Sequence, residues 1–284
     1  MIVATPRKVK KPIAQTTDAI GSRIEPVDKL ESYLAGMVYG RSGTGKTTFA
    51  ATFPKPMLLL DIREKGTDSI SNVEGVDRIE VQDWDDIESI YWYVKNGKGK
   101  KYKTVAIDQV SQMQELALIE ALAIRNKSPG DQISKADFGV AAGLMKTWIL
   151  NYRDLIDEEK HVLLISHDRI TGTDEDGDEG QIDPSVGPRL MPSLASFVNG
   201  AVKFIGHTYI RESFDLKGGK RKREVAWAMR LGPHSSYTTK IRSPVGSPVP
   251  GSIDNPTFDK LVAIMRGEYS EATESTKPKL RRRV

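Results

Sequence analysis

The chain contains no cysteine. Disulfides and thiolate metal sites are therefore excluded, and the composition fits a reducing cytosol. No apolar run approaches the ~20 residues needed to span a bilayer, so no membrane association is expected. Basic residues near the start (Arg7, Lys8, Lys10, Lys11) are not followed by an apolar stretch, which argues against a secretory signal. Together these absences give a cytoplasmic expectation. Apolar residues are scarce, at 38% of 284, and aromatics make up 7%. That suffices for the core of one large domain, with part of the chain left outside it. The net charge of +4 is also small. Its distribution says more than its sum. Cations gather at 7–11, 98–103, 217–223 and 277–283, and acids gather at 174–179. Taken singly, such clusters read as solvated loops and tails.

Against these absences stands one specific motif. Gly40-Arg41-Ser42-Gly43-Thr44-Gly45-Lys46-Thr47 fits G-x-x-x-x-G-K-[ST] without a mismatch. An apolar run, Leu34 to Tyr39, precedes it as a strand, and Thr48 to Phe53 follows as the first turns of a helix. Glycines let successive N–H groups turn inward around a phosphate, and the helix N-terminus adds free donors. The residues from Gly40 to Thr48 are thus candidates to hold nucleotide phosphates, with Lys46 on the β- and γ-phosphates. The Thr47 hydroxyl is a candidate ligand for Mg²⁺, and ATP with Mg²⁺ is the expected pair. Beside such a site, four basic clusters make a polyanionic partner the stronger reading.

The rest of the chain alternates in a way that argues for a parallel sheet. Pro56–Asp61, Arg78–Val81, Thr104–Asp108 and His161–His167 read as strands. Between them lie helical patterns: one capped by Asp83 with Ile87, Ile90, Tyr91 and Val94 on one face, then 111–125 and 135–159. The fold class is α/β, a central mainly parallel sheet flanked by helices. Beyond His167 the runs 201–210, 224–231 and 238–241 look antiparallel. A last helix covers Phe258–Met265. Residues 1–30 read as a flexible arm, 31–268 as one nucleotide-binding domain, and 269–284 as a disordered basic tail.

Asp108 closes an apolar strand, where a carboxylate can face the metal held by Thr47. Glu64 lies just past the Pro56–Asp61 strand and can polarise an attacking water, with Asp61 competing for that role. His167 ends the strand beside that of Asp108 and can touch the γ-phosphate. Lys240-Ile241-Arg242 alternates so that both cations share a face, able to reach a neighbouring subunit's site. The acidic stretch from Asp174 does not fit a calcium loop, because Glu179 and Ser185 stand where Gly and Glu are required.

Gly40–Thr47, Ala50–Pro56 and Glu64–Ile70 resemble the phage nucleotide-binding proteins of RecA-like fold, the Sak-type single-strand-annealing ATPases. Thr104–Asp108, Leu164–His167, Pro192–Leu194 and Asn255–Phe258 extend that resemblance over residues 33 to 267. It implies a RecA-like P-loop NTPase core and ATP hydrolysis coupled to single-stranded DNA, in recombination or strand annealing. It implies assembly of copies into a ring or filament, work beside a single-strand-binding protein, and the cytoplasm of an infected bacterium. It assigns Lys46 and Thr47 to phosphate and Mg²⁺, Glu64 to water activation, Asp108 to the Walker B position and His167 to sensing. The DNA loops implied are 123–138, with Arg125, Lys127, Lys135 and Phe138, and 169–193, with Arg169 and Arg189. Two other classes compete. A small-molecule P-loop kinase needs an arginine-bearing lid. An AAA+ accessory ATPase such as a helicase loader needs a helical lid domain after the sheet.

Overall fold

A computed structural model describes residues 24, 33–128, 130–171, 185–217 and 220–270. The chain divides into two units, Met1–Ser32 and Tyr33–Val284, and the second carries every strand and helix named below. The expected arm, tail and acidic 174–179 stretch lie largely outside the described residues.

The parallel strands are β1 (Ala35–Tyr39), β2 (Met57–Asp61), β3 (Val76–Glu80), β4 (Thr104–Asp108) and β5 (His161–Ser166). Between them run α1 (Lys46–Ala50), α2 (Trp84–Asn96), α3 (Val110–Ile124) and α4 (Lys135–Arg153). A small antiparallel pair follows, β6 (Asp168–Thr171) and β7 (Ser185–Pro188), and then α5 (Pro192–Ala201). The long strands β8 (Phe204–Lys217) and β9 (Lys220–Arg230), short β10 (Lys240–Ile241) and β11 (Ser252–Asp254), and α6 (Phe258–Arg266) complete the order. The main sheet runs β11-β9-β8-β1-β5-β4-β2-β3, with β10 on β8. β5 separates the P-loop strand β1 from β4. This is a RecA-like P-loop NTPase fold, α/β with a mostly parallel centre and antiparallel strands at one side.

Alternation along each strand sends side chains to two cores. One layer holds Met37, Leu58, Leu60, Val105, Ile107 and Leu164 under α2, α3, α4 and α5. The other holds Val38, Leu59, Ala106, Leu163 and Ile165 under α1 and α6. Strands buried on both faces explain the unbroken apolar runs of the sequence. Asp83 caps α2 by accepting from the Asp86 amide, and Ile87, Ile90, Tyr91 and Val94 are its buried face.

Two expectations need correction. The run 201–210 is not simply antiparallel: Phe204–His207 pair in parallel with Gly36–Tyr39, and only the continuation pairs antiparallel with β9. The helix expected over 135–159 ends at Arg153 and gives way to a 3₁₀ turn, Asp154–Glu158.

Candidate active site

The loop Gly40–Gly45 joins β1 to α1. Gly40 leaves no room for a side chain, since a Cβ there would lie 2.4 Å from the Thr208 carbonyl oxygen. Gly45 caps α1 with φ 85°, a left-handed conformation that glycine adopts at no steric cost. Lys46 follows and is buried. Its Nζ donates to the carbonyls of Gly40 and Arg41, each at 2.8 Å. Burial lowers its pKa, while Asp108 and Glu64 pull it back up. Arg41, Ser42, Gly43 and Thr48 are exposed, and Arg41 Nε lies 3.9 Å from Asp168.

Because β5 alone intervenes between β1 and β4, the start of α1 reaches the end of β4. Thr47 Oγ1 donates to Asp108 Oδ2 at 2.9 Å. Asp108 is buried, and burial pushes its carboxyl up to about 6, against the Thr47 hydrogen bond and the Lys46 charge. Among the described residues no group of three or more His, Cys, Asp or Glu could cage a metal. A hydroxyl and one carboxylate, both hard oxygen donors, nevertheless fit Mg²⁺, which keeps waters and takes its remaining ligands from phosphates.

The neighbouring strand ends bring Glu64 into the same region. Asp61 lies opposite Asp108 in register. Its Oδ1 accepts from the amides of Glu64 (3.0 Å) and Lys65 (3.1 Å), and its Oδ2 accepts from Arg78 Nε at 2.7 Å. Asp61 is thus fully engaged and buried. Its bonds hold a tight loop in which Arg63 and Lys65, on either side of Glu64, have φ of 62° and 51°. Glu64 keeps a partly open carboxylate, with Oε1 3.3 Å from His167 Nε2. The same imidazole nitrogen is 2.8 Å from the Gln109 side-chain amide. The Asp108, Glu64 and His167 positions therefore converge at neighbouring strand ends, and Asp61 turns inward.

Other expected residues lie elsewhere. Lys240 Nζ donates to the Asn199 carbonyl at the end of α5, and the Arg242 amide donates to Lys203, so the pair stands away from its own P-loop. Arg125 and Lys127 are engaged by the buried Asp137 at 2.8 and 2.6 Å. The Lys127 and Ser134 hydrogen bonds hold the Asp137 carboxyl well below the usual range. The first expected DNA loop thus spends two of its cations internally. Lys135 and Phe138 remain exposed. Of the second loop, Arg169 and Arg189 flank residues outside the description.

Three contacts had no local signal. Gln109 reaches His167, Thr208 Oγ1 lies 2.7 Å from Thr44 Oγ1, and Trp227 Nε1 donates to the Gly43 carbonyl at 3.4 Å. The last two join segments far apart in sequence.

The family model AAA_24, an AAA domain, matches residues 32–243. The chain belongs to this AAA domain family. It is a P-loop ATPase of the AAA type. A similar solved structure is that of the RadB recombinase: 14% identity, 69% of this chain and 86% of that chain, TM-score 0.35. Another is the P4 protein from bacteriophage phi6 in complex with ADP: 12% identity, 67% and 57% covered, TM-score 0.31. No curated protein matches. Within this AAA domain, the helical lid of a loader is absent among the described residues. Among the described residues after β8 the one helix is α6, and its Leu261 and Ile264 fold back onto the sheet.

Proposed function

We propose that this chain hydrolyses ATP with Mg²⁺ and acts on single-stranded DNA, in phage recombination or strand annealing. The observation that carries the hydrolytic reading is the convergence of Thr47–Asp108 and Glu64–His167 on one sheet edge beside Lys46. Lys46, now on two loop carbonyls, exchanges them for phosphate oxygens, to which its charge is better matched. Thr47 and Asp108 would hold Mg²⁺, which supplies charge neutralisation on the phosphates. Glu64 accepts the proton of the attacking water, as its reach and open carboxylate suit a general base. His167 contacts the γ-phosphate, so that nucleotide state alters its hold on Glu64. Lys240 and Arg242 serve a neighbouring copy in a ring or filament.

The single-strand reading rests on the basic clusters and on the resemblance over residues 33 to 267. It is tested by ATP hydrolysis with and without a single-stranded oligonucleotide at several salt concentrations. Stimulation that fades with salt is expected. Hydrolysis that depends on a nucleoside and ignores DNA would overturn it in favour of a small-molecule kinase.

A further inference from the structure

β8 is parallel to β1 and continues past the point where β1 becomes the P-loop. Only Phe204–His207 pair with β1, and only Ala228–Arg230 pair with β11. Among the described residues the remaining length pairs with itself, out to Lys217 opposite Lys220. At ~3.3 Å per residue the ribbon reaches ~30 Å beyond the end of β1. A two-stranded ribbon is marginal alone, so such a length is retained for some purpose.

Its composition indicates which. The register sets Ile210 opposite Trp227, Glu212 opposite Val225 and Phe214 opposite Arg223, all on one face. Phe214 and Trp227 are 51% and 41% exposed. Arg223 pairs with Glu212. Toward the tip the sequence carries five cations, Lys217, Lys220, Arg221, Lys222 and Arg223, against Asp215, opposite Lys222 in register, and Glu224. Aromatic faces followed by a run of cations are what a single strand requires: rings for bases and cations for phosphates.

The base of the ribbon rests on the P-loop. Trp227 donates to the Gly43 carbonyl, and its indole edge would lie 3.0 Å from a Cβ at Gly45. Thr208 touches Thr44 by its hydroxyl and Gly40 by its carbonyl. On the other face Arg230 is stacked between the Tyr209 and Tyr237 rings, at 3.7 and 4.3 Å, and Arg211 binds Asp254 at 2.8 Å. The ribbon is thus stiffened where it meets the loop that carries Lys46.

We propose that the β8–β9 ribbon is a binding surface for single-stranded nucleic acid and that Trp227 and Thr208 transmit its occupancy to the P-loop. This rests on the ATPase reading above and names the surface and the coupling residues.

The test uses the full chain, a fluorescent oligo(dT) and anisotropy across a salt series. Lys220→Glu with Lys222→Glu should weaken binding by about tenfold or more and flatten the log–log salt slope by about 1.4. Lys98→Glu with Lys100→Glu changes the same charge at the opposite, N-terminal end of β4, and should bind like the unmodified protein. Trp227→Phe keeps a ring for stacking but loses the bond to Gly43. It should bind oligo(dT) yet lose most of the DNA stimulation of ATP hydrolysis. Equal weakening by both double variants would overturn the surface. Full stimulation in Trp227→Phe would overturn the coupling. If the unmodified protein neither binds oligo(dT) nor responds to it, the single-strand reading itself falls, and this inference with it.

Discussion

Three carboxylates near the sheet edge differ in environment, and the difference assigns their work. Asp61 accepts two backbone amides and an arginine and is buried, so its carboxylate is shielded from water. Glu64 has one imidazole contact and an open side. Asp61→Asn should therefore lower stability by about 1–3 kcal/mol yet keep more turnover than Glu64→Gln, as paired urea melts and steady-state rates would show. Asp108 is the third case. Burial raises its pKa to about 6 from the usual 3.8. The native state then binds more protons than the unfolded chain between those values. Its contribution to stability is fully present below about 3.8 and is lost as pH rises through about 6. Asp108→Asn removes this penalty. The variant should be more stable than the parent at pH 8, by up to about 3 kcal/mol in urea denaturation without nucleotide, while losing hydrolysis.

At the scale of elements, regular periodicity was legible and long-range contact was not. The Gly40–Thr47 loop, the capped helix α2 and the apolar strands β2, β4 and β5 are all readable from spacing. In the connection between α3 and α4 spacing shows the cations but not their partner. Arg125 and Lys127 look free in sequence, yet Asp137 from the first turn of α4 takes both. The clue was local: Ser134 and Asp137 form a capping box, so a carboxylate had to turn back toward that connection. Asp137→Asn should lower the melting temperature and, by releasing two cations, tighten oligonucleotide binding in anisotropy. The parallel pairing of β8 with β1 was hidden because alternation alone does not report a strand's neighbour. Gly36, beneath the Phe204 ring, is the trace it left: a Cβ there would meet that ring at 1.9 Å.

At the scale of the whole molecule, the fold class was legible because each strand repeats the same two-faced burial. The site was only partly so, since Gln109, Thr208 and Trp227 act across the sheet. The sheet also carries two buried histidines. Burial depresses both His161 and His207 to about 4. They stay neutral in the native state, so the stability they allow is present above about 6.5 and is lost as pH falls through about 4. Asp108 opposes them in the same range. With two groups against one, net stability should fall by about 3 kcal/mol from pH 6.5 to 4, read from urea midpoints along that series.

The most direct test of the account is single-turnover ATP hydrolysis by Glu64→Gln, with nucleotide binding measured in parallel. The account predicts that binding persists while the hydrolysis rate falls by about 10²–10⁴-fold. An unchanged rate with unchanged binding would contradict it.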